Sequence, residues 1–168
     1  MRPSQLLLDN YYLDEFSFSL SDDYTFEPGV DEPKIGPEDL EVTVDTARHP
    51  EDPLQWMFKL AVSLKNKDNR FPFTFLIRLT GFFEVSKDCP TDLVDRLALV
   101  NAPSILYASA REILAVVSGR SRFLTLFLPS VSFFEPTKEA KAEVSSTDTK
   151  AEPVKARKKS ARKVSRKK

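Results

Sequence analysis

The sequence predicts an α+β fold: a four-stranded antiparallel sheet with a broken helix packed against it, followed by a disordered Lys/Arg-rich tail. Three observations predict this. Apolar and polar side chains alternate with a period of two in four separate stretches, as half-buried strands require. After Pro90 the period lengthens to about 3.6, that of a helix with one buried face. Beyond Phe134 there is no aromatic residue at all.

The first strand is expected over residues 12–20, where Phe16, Phe18 and Leu20 oppose Glu15, Ser17 and Ser19. Residues 21–39 contain Pro28, Gly29, Pro33, Gly36 and Pro37 among acids. That composition cannot sustain a ladder and reads as a long crossover loop. Alternation resumes at Leu40, Val42 and Val44, is turned by Pro50 and Pro53, and returns at Trp56, Phe58, Leu60, Val62 and Leu64. A polar link leads to Phe73, Phe75, Ile77 and Leu79, with Gly81 expected to interrupt the phase as a bulge. Connections this short make these strands antiparallel neighbours, because a parallel crossover needs about a dozen residues.

Thr91 is a plausible helix cap, with Asp92 and Asp95 in the first turn, where the helix dipole favours acids. Leu93, Leu97 and Val100 form the expected apolar stripe of a first helix ending at Asn101. Pro103 then opens a second helix, with an apolar face of Leu106, Ala110, Ile113, Leu114 and Val117 and an end marked by Gly119. Residues 123–134 are apolar around Pro129 and should pack as an extended segment. The division is a globular domain over 1–135 and a tail over 136–168, too poor in large apolar side chains to offset the entropy of ordering.

The balance of 25 basic and 25 acidic side chains hides an asymmetry. Nine Lys or Arg and no acid lie in residues 155–168, leaving 16 basic against 25 acidic side chains before them. The body should therefore repel polyanions while the tail attracts them, so nucleic acid or the ribosome is a candidate partner through residues 155–168. Leu6 to Leu8 is too short an apolar run for a secretory signal, no stretch reaches the length of a membrane span, and the lone Cys89 cannot form an internal disulfide. The expected compartment is the cytoplasm.

Enzyme chemistry finds no support in the residues. His49 sits between Arg48 and Pro50 with no second histidine or nucleophile near it in sequence. Cys89, near a helix start, reads as a small buried side chain. Together the two cannot make a zinc site. The four glycines, Gly29, Gly36, Gly81 and Gly119, form no phosphate-binding loop. Asp22, Asp23, Glu27, Asp31 and Glu32 lack the ligand spacing of a calcium loop and read as a solvated acidic stretch. No cofactor and no metal is expected.

What remains is apolar surface. Among 13 phenylalanines, Phe82 and Phe83 are adjacent, as are Phe133 and Phe134. Neighbouring side chains on a strand face opposite ways, so each pair implies that both faces are covered by a helix, a partner subunit or a ligand. Tyr24, Phe26, Phe82, Phe83, Tyr107, Phe133 and Phe134 are the candidates for binding extended polypeptides, because aromatics give sequence-tolerant apolar contact.

The stretch from Ala102 to Phe133 resembles the SecB family of protein-export chaperones. The resemblance is carried by Pro103, Ile105, Leu106 and Tyr107, by Ala110, Arg111 and Glu112, by Ser118, Gly119 and Arg120, and by Leu126, Leu128, Pro129, Val131 and Phe133. Residues 12–18, YLDEFSF, and 40–46, LEVTVDT, are similar to the family's first two strands. The resemblance implies a homotetrameric, ATP-independent holdase that binds unfolded or precursor polypeptides and passes export clients to the SecA motor. It also implies that some relatives serve an antitoxin instead. By the same resemblance Glu15 would contact the motor, whereas Arg78 stands where the family has a second acid. Gly36 and Pro37 occupy the place of a family tryptophan and proline, and the basic tail replaces the family's motor-binding C-terminal segment.

Overall fold

The computed structural model describes residues 4–21, 24, 34–65, 70–121 and 125–134. The expected tail, residues 136–168, and most of the crossover loop, Phe26 included, lie outside the described residues.

Among the described residues four strands, β1 (Leu6–Leu20), β2 (Leu40–Arg48), β3 (Gln55–Leu64) and β4 (Phe73–Val85), precede one helix, α1 (Thr91–Ser118). The sheet has the order β1-β4-β3-β2, every neighbouring pair being antiparallel. A short 3-10 turn, Pro37–Asp39, leads into β2. There the Asp39 carboxylate accepts from the Gly36 N–H at 2.9 Å and from Arg70 at 3.1 Å.

One face of the sheet is apolar across all four strands. Phe58, Leu60 and Val62 of β3 and Phe75, Ile77, Leu79 and Phe83 of β4 are buried there. Gly81 lies on this face too, and the alternation runs through it unbroken. It is therefore not the bulge the sequence suggests. The register slips instead in β1, where Asp9 and Asp14 are extra residues between Leu8 and Asn10 and between Leu13 and Glu15. Each bulge moves the following side chains to the opposite face. This is why β1 begins six residues before the alternation of its second half becomes visible.

The helix is continuous, which corrects the expectation of a break at Pro103. An internal proline forfeits one backbone hydrogen bond, at a cost of roughly 3 kcal/mol. Pro103 is nevertheless buried within the helix, as are Ala102, Leu106 and Tyr107. In the same turn the Ser104 hydroxyl donates to the Val100 carbonyl at 2.7 Å.

The buried stripe of α1 is Val94, Ala98, Ala102, Leu106, Ala110, Leu114 and Ser118. Its alanines bring the helix close to β4 and β3, the strands it contacts most. The stripe expected from sequence points elsewhere: Leu93 is exposed, and Leu97 and Val100 are only half-buried.

After the helix, residues 125–134 run back along it as an extended strap, as expected. Leu126 and Leu128 enter the core while Phe127 between them stays exposed. The Leu126 N–H donates to Ser118 Oγ at 2.8 Å, and the Tyr107 hydroxyl donates to the Pro129 carbonyl at 2.8 Å.

Candidate functional site

The aromatic candidates do not converge on one groove. Phe82 and Phe83 point to opposite faces of β4, as their adjacency requires. Phe83 is 1% exposed and meets Phe58 edge-on at 5.7 Å. It is core, not contact surface. Phe82, 38% exposed, lies on the outer face away from α1 and meets Tyr12 edge-on at 6.1 Å.

Tyr107 is also a core residue. Its ring lies under the strap, with Phe133 edge-on at 6.0 Å. Burial raises its phenol above the ordinary value of 10.0, and the neighbouring Arg111 charge opposes part of that rise. Phe133 is half-buried against the core, whereas Phe134 is exposed under the Arg96 guanidinium, 5.2 Å from its ring. Tyr24 is half-buried at the start of the crossover.

Two open apolar regions result. One lies beside the first half of α1, where Leu93, Leu97, Val100 and Phe134 help line a cavity of about 320 Å3. The other is on the outer face of the sheet, around Phe82 and Tyr12. Sequence reasoning missed Tyr12 and Leu7, 54% and 47% exposed. The signal was hidden by the Asp9 and Asp14 bulges, which break the alternation that would have assigned them a face.

Glu15, the residue assigned to the motor by resemblance, is exposed on the outer face and paired with Arg78. The two are direct neighbours in the β1–β4 register. A carboxylate already facing a guanidinium presents little net charge to a third party.

At the far end of the sheet, Arg48 stacks on the sole tryptophan, its guanidinium carbon 4.1 Å from the Trp56 ring centre, and pairs with Asp95 of α1. Trp56 Nε1 is buried with no hydrogen-bond partner among the described residues. His49 caps the β2–β3 turn, its Nδ1 accepting from the Glu51 and Asp52 N–H groups at 3.3 and 3.2 Å. Among the described residues no group of His, Cys, Asp or Glu could hold a metal ion, and no helix is long and apolar enough to cross a membrane.

An antiparallel sheet covered on one face by a long helix and its returning strap, with open apolar side chains beside them, defines a scaffold suited to binding other chains. The family model described as preprotein translocase subunit SecB matches residues 2–142. The chain belongs to the SecB family of chaperones. The match reaches beyond Phe134, the last described residue.

Among solved structures, the chain is similar to the Mycobacterium tuberculosis SecB-like chaperone Rv1957 in complex with a ChAD peptide from the Rv1956 HigA1 antitoxin. The TM-score is 0.54 at 16% identity, over 76% of this chain and 91% of that one. At that identity the likeness concerns the fold. A Streptococcus agalactiae protein of unknown function aligns at 15% identity with a TM-score of 0.41, over 74% of this chain and 97% of that one. No curated protein matches.

Proposed function

We propose that this chain is an ATP-independent holdase that binds unfolded polypeptides and serves protein export. Membership of the SecB family over residues 2–142 carries the reading. The exposed side chains of Phe82, Phe127 and Phe134 agree with it, since contact with many unfolded chains calls for accessible apolar groups. Of the aromatic candidates, Phe134 and Phe82 are accessible for this contact, with Phe133 at the margin.

A homo-oligomer, a tetramer by family resemblance, belongs to the proposal. The open helix face of Leu93, Leu97 and Val100 is apolar enough to be its interface. The cytoplasm is the proposed compartment. Delivery to the SecA motor is the weakest part, because Arg78 neutralises Glu15. The deciding experiment is light scattering of a chemically denatured client diluted into buffer: the purified chain is expected to suppress aggregation without ATP. Unchanged scattering at excess chaperone would refute the holdase.

A second reading is a chaperone dedicated to an antitoxin. It is favoured by the complex that the mycobacterial neighbour makes with an antitoxin peptide. An adjacent toxin–antitoxin pair in the genome, and rescue from that toxin by this chain, would favour it over export. A third reading makes the nine Lys and Arg of residues 155–168 a tether to nucleic acid or the ribosome. It predicts salt-sensitive ribosome association that disappears when residues 136–168 are removed.

A further inference from the structure

The cavity of about 320 Å3 between the first half of α1 and the end of the strap has a floor, a wall and a charge. Leu93, Leu97 and Val100 are spaced i, i+4 and i+7, so they share one face of the helix. At about 1.5 Å per residue they form an apolar floor about 10 Å long. Phe134 supplies an aromatic wall, and the exposed Gln5 and Asn101 add neutral amides. Small-molecule sites run to roughly 300–1,000 Å3, so the cavity has room for one ligand with a short apolar body.

Arg96 is the one charged side chain among the described lining residues. Its guanidinium carbon lies 5.2 Å from the centre of the Phe134 ring, a contact that holds the group at the wall and leaves its N–H edges free to donate. Among the described residues Arg96 makes no ion pair, and the adjacent Asp95 is taken by Arg48. A planar guanidinium receives a carboxylate through two parallel N–H···O bonds. Other occupants answer this charge less well. A second copy brings no acid from the same set of side chains, so an interface closing over the cavity leaves Arg96 uncompensated. Nucleic acid spreads its charge over many phosphates, where the lining offers a single cation.

We propose that this cavity binds a small aliphatic monocarboxylate, its head bonded to Arg96 and its chain of about eight carbons laid along Leu93, Leu97 and Val100 beside Phe134. Burial of the chain supplies the affinity, and the guanidinium selects an anionic head over a neutral one. The site does not depend on the holdase reading.

The test is isothermal titration calorimetry of the full-length chain with sodium octanoate, which is expected to bind saturably at one site per chain. Octanol, the same chain with a neutral head, should bind about tenfold more weakly, and Arg96→Gln should weaken octanoate by about the same factor. Butanoate in place of octanoate, or Leu93→Ser in the protein, should also weaken binding by about tenfold. Lys59→Gln removes a positive charge from the face of the sheet turned away from α1 and should change nothing. Circular dichroism confirms that each variant is folded. Absence of saturable heat, equal binding of octanoate and octanol, or equal loss from Lys59→Gln and Arg96→Gln would overturn the proposal. Displacement of octanoate by an apolar peptide amide as readily as by heptanoate would make the cavity a stretch of client surface and overturn it as well.

Discussion

Leu106 crosses the sheet directly over Gly81: a Cβ on Gly81 would stand 2.7 Å from Leu106 Cδ2 and 2.8 Å from Phe83 Cε2. Both side chains are almost wholly buried, so neither can swing away without disturbing the core. Gly81→Ala should destabilise the chain by about 1–3 kcal/mol, the usual cost of overpacking. Denaturant unfolding should show a lower midpoint at unchanged slope. Combining it with Leu106→Ala should give a loss smaller than the sum of the two, because the second change removes one of the two clashes that the first creates, leaving that with Phe83.

Tyr107→Phe deletes the hydroxyl that donates to the Pro129 carbonyl. The expected loss is about 1 kcal/mol. Because burial raises the Tyr107 phenol above 10.0, the folded state holds its proton more tightly than the unfolded chain does. The stability this contributes is complete below pH 10 and is lost as pH rises through the folded-state value. Unfolding measured across that alkaline window should therefore show the wild type losing its advantage over Tyr107→Phe as pH rises.

Arg48 and Asp95 form an exposed pair, and exposed pairs contribute only about 0–1 kcal/mol. Arg48 has a second role in covering the Trp56 ring, where a cation–π contact contributes about 0.5–1 kcal/mol more. Arg48→Ala should therefore cost more than Asp95→Asn. Since Trp56 is the only tryptophan, its fluorescence reads the difference: emission should shift clearly in Arg48→Ala and little in Asp95→Asn.

Ser118, 1% exposed, satisfies the buried Leu126 N–H where the strap turns back. Ser118→Ala would leave that donor unpaired, at a cost of about 1–3 kcal/mol. Hydrogen exchange should quicken first in residues 125–134, ahead of the sheet.

These relationships show where the sequence spoke clearly. β2, β3 and most of β4 were legible because the apolar residues of each share one face, buried in β3 and β4 and half-buried in β2 beyond Leu40, which writes a period of two into the chain. The strap was legible because its apolar run surrounds a proline. Pro103 and Gly81 misled for one shared reason: each reads locally as an interruption, but tertiary packing holds each inside a continuous element. Pro103 is on the buried side of a continuous helix, and Gly81 is where the helix comes too close for a side chain. The opposite facing of Phe82 and Phe83 followed from adjacency alone. Burial of Tyr107, and exposure of Leu7 and Tyr12, depended on the helix axis and the β1 register, which no local pattern encodes.

The two bulges of β1 act together as a parity device. The insertion at Asp9 exchanges the faces of the strand and the insertion at Asp14 exchanges them back, so Leu6 and Leu20 both face the helix although Tyr11 and Leu13 between them belong to the odd-numbered set. Deleting either aspartate alone would put one arm of the strand out of phase with its apolar partners in β4, whereas deleting both would leave both ends in step. Length changes in this strand are therefore tolerated in even numbers, and a relative that has lost one bulge is expected to have lost the other.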